Sequence, residues 1–186
     1  IRSYSPVITI GGGYILECYV TDKWKTAKKR IHNYSQADEQ SRIRLIIENE
    51  KANPFDVDGF KKRLGYSLDI IHKKFDYDDS ILWIDHKGNK WIVTNNQING
   101  LKKEILEYLK YFHQKNIYRP GASKEEIRQR LQGNKKFMDF LLNTLESEDQ
   151  ICQNGKSWSI FGHSVELSDE EQESFTDLMA ILQREG

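Results

Sequence analysis

Apolar residues recur at helical spacing in the middle of the chain. In the segment INGLKKEILEYLKYFHQKN, four of them fall on one face of a predicted helix: Leu101, Ile105, Leu109 and Phe112. The opposite face is polar, as in a surface helix that packs on a core. A second stripe, formed by Phe137, Leu141 and Leu145, predicts another helix in NKKFMDFLLNTLESE. The string RPG lies between the two stripes and ends the first helix.

A short helix and a hairpin complete this pattern. Ser123 and Glu126 have the spacing of a capping box, which predicts that a helix starts there. After the last helix, QICQ and KSWSIF have the composition of two strands. They are joined at Asn154-Gly155, a pair suited to the two central positions of a type I′ turn. Three helices followed by a β-hairpin is the order of a winged-helix module.

The same pattern occurs sixty-seven residues earlier in the chain. KGNKW at 87–91 corresponds to NGKSW at 154–158, and DVDGFKKRL at 56–64 corresponds to SKEEIRQRL at 123–131. Apolar positions correspond as well, with Ile70, Ile71, Phe75 and Ile84 falling on Phe137, Met138, Leu142 and Ile151. We therefore predict two winged-helix modules in tandem.

Two pairs of residues are predicted to be equivalent in these modules. Asp56 and Ser123 each stand where a helix needs a cap, because their side-chain oxygens can accept an early backbone N–H. Trp91 and Trp158 each follow a hairpin turn. We predict that both indole rings pack on the helices rather than serve as platforms for stacked bases.

Both ends of the chain carry incomplete patterns. SYSPVITIGGGYILECYV, at 3–20, concentrates β-forming residues around three glycines and predicts two strands about a tight bend. Near the other end, Ser168 and Glu171 repeat the capping-box spacing before an apolar stripe. This last segment is either the first helix of a further module or a terminal helix that packs on the second one.

The predicted fold class is α+β, mainly α, with tandem winged helices preceded by the last strands of a β-barrel domain. Four parts are predicted: the tail of an upstream β-barrel domain at 1–22, winged helices at 23–95 and 96–163, and the first helix of a truncated third winged helix at 164–186. The chain is thus expected to be a fragment of a longer array.

Composition narrows the possible functions. The 28 basic and 28 acidic side chains cancel, so no global field attracts nucleic acid or an anionic membrane. No apolar run is long enough to span a bilayer, and no signal peptide is evident, so we expect a soluble cytoplasmic monomer. Cys18 and Cys152 are isolated, and neither glycine-rich phosphate-binding motif occurs. No catalytic, cofactor-binding or metal-binding residue is predicted.

Three histidines and one pair of acids are residue types that can serve in catalysis or metal binding, but their spacing favours structural roles. His32, His72 and His113 are interpreted as helix-face residues, because none has a partner at catalytic or metal-binding spacing. Asp78 and Asp79 precede a strand and are predicted to form a helix-terminating turn.

Local charge leaves nucleic-acid binding as the main candidate. Residues 1–95 contain 16 basic and 13 acidic side chains, whereas 96–186 contain 12 and 15. The third helix and hairpin of the first module carry the candidate RNA-phosphate contacts, namely Lys73, Lys74, Lys87 and Lys90. In the second module the same helix ends in ESED, which repels phosphates. A solvated lysine face is the alternative interpretation of the four lysines.

Three strings resemble the SelB family of selenocysteine-specific translation elongation factors. SYSPVITIGGGYIL at 3–16 is similar to the end of that family's third β-domain. RPGASKEEIRQRL at 119–131 is similar to a string in its second winged helix, and FGHSVELSDEE at 161–171 resembles the junction to the third. The strings occur in the family's order. The first winged helix has no such string, and its assignment rests on the internal repeat.

The resemblance implies that the parent protein is a GTPase that binds GTP and magnesium and brings selenocysteinyl-tRNA to the ribosome. It also implies that C-terminal winged helices tether the bacterial factor to an mRNA hairpin, the SECIS element. In that family the GTP site lies upstream and the main hairpin-binding module lies downstream. The present chain would then be the connecting arm, without a GTP or magnesium site of its own and with at most weak RNA binding.

Two other functions share the predicted fold. A DNA-binding regulator built from tandem winged helices would be expected to have a basic recognition helix in both modules, which ESED contradicts. A scaffold for protein interactions is compatible with the zero net charge.

Overall fold

The structure, a computed structural model, describes residues 11–18, 23–75 and 78–164. The chain divides into two compact units, residues 1–97 and 98–186. Within the described ranges the fold is mixed, with seven helices and two small antiparallel sheets of three strands each.

The first unit contains four helices and three strands. In chain order they are α1 (Trp24–Gln36), α2 (Glu39–Asn49), β1 (Phe55–Asp56), α3 (Val57–Leu64), α4 (Leu68–Phe75), β2 (Ile81–His86) and β3 (Asn89–Thr94). The sheet order is β1-β3-β2, so the short strand β1 lies on the far side of the hairpin from β2. The predicted cap of α3 is confirmed, because Asp56 Oδ1 accepts the Gly59 N–H at 2.6 Å.

Apolar residues of α2, α3, α4 and the sheet form the core of the first unit: Ile43, Ile47, Phe60, Ile71, Phe75, Ile81 and Ile92. The predicted stripe on α4 is wrong at one position, since Ile70 is 43% exposed. Successive helix residues point about 100° apart, so a narrow buried face holds Ile71 but not its neighbour. On the corresponding helix of the second unit, Phe137 and Met138 are both fully buried.

The second unit begins within a long helix and repeats the order of the first unit from α2 onward. Its elements are α5 (Asn95–Lys115), β4 (Ala122–Ser123), α6 (Lys124–Leu131), α7 (Lys135–Ser147), β5 (Ile151–Asn154) and β6 (Ser157–Ile160). The sheet order is β4-β6-β5. All apolar residues predicted to face inward on α5 and α7 are buried: Leu101, Ile105, Leu109, Phe112, Phe137, Leu141 and Leu145.

The capping box at the start of α6 is complete. Ser123 Oγ accepts the Glu126 N–H at 3.3 Å, and Glu126 Oε2 accepts the Ser123 N–H at 2.7 Å. Just before it, Gly121 lies so close to β6 that an added Cβ would come within 2.2 Å of the Trp158 carbonyl oxygen. The glycine of RPG therefore permits β4 to pair with β6.

A second reciprocal cap, not foreseen from the sequence, lies where the two units meet in the chain. Thr94 Oγ1 accepts the Gln97 N–H at 3.1 Å, and Gln97 Oε1 accepts the Thr94 N–H at 3.3 Å. Gln97 Nε2 also donates to the Lys51 carbonyl oxygen. These bonds hold the first turn of α5 to the first unit, which ends at Gln97.

The two hairpins have different turns. Lys87 (φ 51°) and Gly88 (φ 76°) are the central residues between β2 and β3, and two positive φ angles are the mark of a type I′ turn. Between β5 and β6 the central residues are Gly155 and Lys156, and only Gly155 has a positive φ, 62°. This pattern is that of a type II′ turn, with glycine first, so the predicted type I′ turn at Asn154-Gly155 is wrong.

The turn difference changes the register of the tryptophans. Trp91 pairs with Asp56, whereas Trp158 pairs with Ala122, the residue before the cap Ser123. In the first unit the residue before the cap, Phe55, pairs with Ile92.

The ladder therefore makes Ile92 the equivalent of Trp158, and the predicted equivalence of Trp91 and Trp158 is wrong. The hairpin of the first unit has six residue pairs and that of the second has four, so the constant offset cannot continue through it. Both tryptophans are nonetheless only 5% exposed, which confirms that they are packed rather than presented for stacking.

Residues 11–18 have no regular secondary structure, so this part of the predicted pair of strands is wrong, and Tyr14 is 97% exposed. Specific contacts hold the end of the stretch to the first unit. The Cys18 N–H donates to the Arg63 carbonyl oxygen at 2.9 Å. The Glu17 side chain is almost fully buried, 3.3 Å from Arg30 and 3.2 Å from Arg63. The rest of the predicted strands and the predicted helix within 164–186, except residue 164, lie outside the described residues.

Candidate nucleic-acid interface

The four lysines predicted to contact RNA lie at two separate places on the first unit. Lys73 and Lys74 are in the last turn of α4, and Lys87 and Lys90 are at the tip of the β2–β3 hairpin. A chain of hydrogen bonds joins the end of α4 to the base of β2, from Asp78 N–H to the Phe75 oxygen and from Ile81 N–H to the Asp78 oxygen. At about 3.3 Å per residue, the tip of β2 is about 17 Å from that base.

One lysine at each place is paired with a carboxylate. Lys74 Nζ lies 2.6 Å from Glu39 Oε2 and 5.6 Å from the centre of the Tyr66 ring. Hydrogen bonds from Lys74 and Tyr66 lower the pKa of Glu39, so the pair is held in its charged form. Lys90 lies 3.8 Å from Asp85. Lys73, Lys87 and Lys90 are exposed, whereas Lys74 is half-buried.

The acids beside this region have a structural role. Asp78 Oδ2 accepts from Arg44 Nη2 at 2.7 Å, and Asp78 Oδ1 accepts the Ser80 N–H at 3.1 Å. Desolvation raises the pKa of Asp78, but hydrogen bonds from Ser80 and Arg44 outweigh it and lower the pKa overall. Asp78 therefore anchors the turn between α4 and β2, as predicted, and ties that turn to α2.

The second unit carries three exposed lysines outside the predicted set. Lys135 and Lys136 are exposed in the first turn of α7, and Lys156 is exposed in the hairpin turn. The acidic string at 146–149, predicted to repel phosphates, begins in the last turn of the same helix. A helix of 13 residues places its two ends about 18 Å apart, at 1.5 Å per residue. The signal for these lysines was the KK pair directly after the cap Asn134.

His113 lies on α5, as predicted for a helix-face residue, and its side chain is buried. Its Nε2 accepts the Ile160 N–H at 3.2 Å, and its ring centre is 3.6 Å from that of His163. Burial lowers the pKa of His113, and the neighbouring His163 lowers it further. The imidazole is thus a neutral acceptor that fixes the end of β6. His32 is exposed on α1, as predicted, and the side chain of His72 lies outside what the structure describes.

A groove of about 730 Å³ opens on α5 and α6 of the second unit. Its lining mixes aromatic, acidic and basic side chains: Glu104, Glu107, Tyr108, Tyr111, Arg130 and Leu131. Beyond the end of α5, Ile117 and Tyr118 are 58% and 61% exposed. This surface combines apolar area with charges of both signs, as protein-binding surfaces do.

Within residues 11–18, 23–75 and 78–164, no three His, Cys, Asp or Glu side chains are placed to share a metal ion. Over the same ranges, no helix is both long enough and apolar enough to cross a membrane.

The second unit has the arrangement of a winged helix. A first helix, a short strand, two further helices and a hairpin follow one another, and the short strand completes a three-stranded sheet with the hairpin. Comparison with protein families supports the same class. The family model for the winged helix of elongation factor SelB matches residues 106–159. A comparison with curated proteins finds no match for the chain.

Proposed function

We propose that this chain is the winged-helix arm of a SelB-type, selenocysteine-specific translation elongation factor. The observation that carries the proposal is the match of residues 106–159 to the SelB winged helix. In this proposal two winged helices, at 23–95 and 96–163, stand in tandem. The tail of a β-barrel domain at 1–22 precedes them, and a third winged helix starts within 164–186.

The internal contacts of the first unit support its assignment as a winged helix. In both units a two-residue strand leads directly into a capped helix of eight residues, with Asp56 and Ser123 as the caps. In both units that strand pairs with the last strand of the hairpin, giving the same sheet order. Agreement in caps, helix length and strand order is more than amphipathic patterns alone would produce.

The proposed role of the arm is mechanical. It sets the distance between a GTPase body that carries selenocysteinyl-tRNA and a downstream module that holds the SECIS hairpin of the mRNA. A tether of suitable length raises the effective concentration of the loaded tRNA at one codon on the ribosome. GTP and magnesium belong to the body of the parent protein, which is cytoplasmic in this proposal. No residue of the arm is assigned a catalytic role.

Direct contact between the first unit and RNA is expected to be weak. Lys73 and Lys87 are exposed, but they lie at separate places, and Lys74 and Lys90 have carboxylate partners. Lysines that act as point charges bind phosphates without reading bases. Any such binding should fall steeply with salt.

The proposal is tested by recoding of a UGA codon in the protein that contains this chain. Deletion of residues 98–163 should abolish recoding, while binding of GTP and of selenocysteinyl-tRNA should be unchanged. A matched control inserts a flexible spacer of the same length in place of the deleted residues and should restore part of the activity. Unchanged recoding after the deletion, or no recoding by the intact protein, would contradict the proposal.

A protein-interaction scaffold is the second candidate, and the groove on α5 and α6 favours it. Tyr111 is 56% exposed beside two carboxylates and Arg130, a combination enriched at binding hot spots. If this function is the main one, Tyr111→Ala should reduce recoding or partner binding without changing RNA binding. An equal effect of Tyr14→Ala, an exposed tyrosine of the first unit, would argue against a specific groove.

A further inference from the structure

The negative charge of the second half of the sequence is confined to its last segment. Residues 98–164 contain 11 basic and 8 acidic side chains, whereas 165–186 contain one basic and seven acidic. The described part of the second unit therefore has a net charge of +3, and the acidic balance of the half does not describe its surface.

Two of its lysines meet beside the hairpin turn. Ser123 pairs with Ser157 in the β4–β6 ladder. Lys124 follows Ser123 at the start of α6, and Lys156 precedes Ser157 in the hairpin turn. The start of α6 and the tip of the hairpin thus bring two cations together from sites thirty-two residues apart in the chain.

The first part of α7 packs against α6 near these two lysines. Lys124 Nζ lies 2.5 Å from Asp139 Oδ1, on the second turn of α7. Arg128 Nη1 donates to the Gly133 carbonyl oxygen at 3.5 Å, just before the helix begins. The first contact places the second turn of α7 beside the start of α6, and Lys135 and Lys136 lie one turn before it. The hydrogen bond from Arg128 lowers the pKa of Glu125, and Lys135 is close enough to that carboxylate to help lower it.

The cations at this place outnumber the acids. Its three carboxylates are engaged, Asp139 by Lys124, Glu125 by Arg128 at 2.6 Å and Glu126 by Arg119 at 3.0 Å. Five cations against these three carboxylates leave a net charge of +2, and we call this surface the basic corner: Lys124, Arg128, Lys135, Lys136 and Lys156, with Glu125, Glu126 and Asp139. The positive ends of two helix dipoles, those of α6 and α7, add to its potential.

We propose that the basic corner is a second RNA-contact surface of this protein and binds the phosphate backbone of an RNA stem. Phosphates are the fitting ligands because lysines at a hairpin tip and at two helix starts present several charges on one edge. Base reading is not expected, since the corner offers ammonium groups and one engaged arginine. The phosphate contact stands on the geometry alone, whereas the choice of RNA over DNA rests on the proposed function.

In this proposal the main RNA-contact surface of the chain lies on the second unit rather than at the lysines of the first. Lys135 and Lys156 of the corner are exposed, one at the start of α7 and the other in the hairpin turn. The set in the first unit divides between two places, and two of its four members have acid partners. The acidic string at 146–149 does not prevent binding, because it lies at the far end of α7.

Fluorescence anisotropy with the whole chain tests the inference, using a 20-base-pair RNA stem as the probe. Lys135→Glu with Lys156→Glu should weaken binding at least tenfold and reduce the slope of log affinity against log salt by about 2, since each phosphate contact contributes about 0.9. Glutamate is tolerated at the start of α7, where a helix favours negative charge, and the melting curve checks the fold.

Two control variants make the same change of charge elsewhere. Lys103→Glu with Lys110→Glu alters exposed lysines on α5, and Lys73→Glu with Lys87→Glu alters the first unit. Both should change binding less than threefold. The inference is overturned if the α5 pair weakens binding as much as the corner pair, if only the first-unit pair matters, or if the unaltered chain does not bind the stem at low salt.

A DNA duplex of the same sequence separates the two parts of the proposal. Tighter binding to RNA supports the choice of partner, and equal or tighter binding to DNA overturns it. These readouts are independent of recoding: a corner that binds RNA in a protein that needs no arm for recoding would contradict the proposed function and leave the inference intact.

Discussion

From α2 onward the first unit has the same order of elements as the second, but the two hairpins differ. In each, a two-residue strand leads into a capped helix and pairs with the last strand of the sheet. The first hairpin has six pairs and a type I′ pattern at its turn, whereas the second has four pairs and a type II′ pattern. Strand order thus survives a change of turn, but strand register does not.

The two units also differ in where their charged side chains lie along the last helix and the hairpin. In the first unit the predicted lysines lie at the end of α4 and at the hairpin tip. In the second, the lysines lie at the start of α7 and at the tip, and the acids lie at the helix end. A charge count over a whole unit cannot separate these two arrangements.

The largest expected loss of stability comes from removing the buried side chains at equivalent positions of the two hairpins. Trp158→Ala should cost the second unit about 3 to 5 kcal/mol, because a buried indole leaves a large cavity. Ile92→Ala, at the equivalent ladder position, should cost the first unit about 2 to 5 kcal/mol. Amide hydrogen exchange measures each unit separately. Loss of protection in β5 and β6 without loss in β2 and β3 is the result expected for Trp158→Ala.

The next effect concerns the close approach of β4 to β6. Gly121→Ala should cost about 2 to 3 kcal/mol, because a Cβ would overlap the Trp158 carbonyl oxygen at 2.2 Å and force the strands apart. Gly100→Ala is the matched control, since Gly100 lies in α5 with nothing within 4 Å of the added Cβ. It should stabilise the chain by up to about 1 kcal/mol. Urea denaturation measures both, and equal effects would contradict the contact.

Removing a helix cap should cost less stability than the core substitutions, and about the same amount in each unit. Ser123→Ala and Asp56→Ala should each cost about 1 kcal/mol, because each side chain accepts a backbone N–H in the first turn of its helix. An unchanged melting curve for either variant would contradict its cap.

The capping box at Ser123 should lose its contribution to stability only at low pH. Hydrogen bonds from Arg119 and from Ser123 lower the pKa of Glu126 to about 2. Its contribution to stability is therefore complete above about pH 4.5 and is lost as the pH falls toward 2. Glu126→Gln should flatten the pH dependence of thermal unfolding between these values. Glu104→Gln, on the exposed side of α5, should not.

The smallest effect is expected from His113. Its pKa is lowered in the folded state, so the unfolded chain takes up the proton more readily, and stability falls as the pH drops below about 6.5. His113→Gln keeps an acceptor for the Ile160 N–H but does not titrate. It should reduce the change in melting temperature between pH 7 and pH 5, whereas His32→Gln on exposed α1 should leave it unaltered.

Local signals in the sequence determined the helices, their caps and the buried stripes. Ser123 and Glu126 predict a capping box because both partners lie within one helical turn. The inward residues of α5 and α7 follow from helical spacing alone. The overlooked cap of Thr94 and Gln97 carries the same kind of signal, since the two residues have capping-box spacing.

Tertiary structure decided the features that depend on residues far apart in the chain. The register of Trp158 depends on where the turn falls, and a shift of one residue moves a side chain to the other face of the sheet. Lys124, Lys135 and Lys156 are separated in the sequence. Their proximity depends on the β4–β6 pairing and on the packing of α7 beside α6. Spacing along a chain fixes which residues share a helix face, whereas distance between elements is fixed only when the sheet and the core have formed.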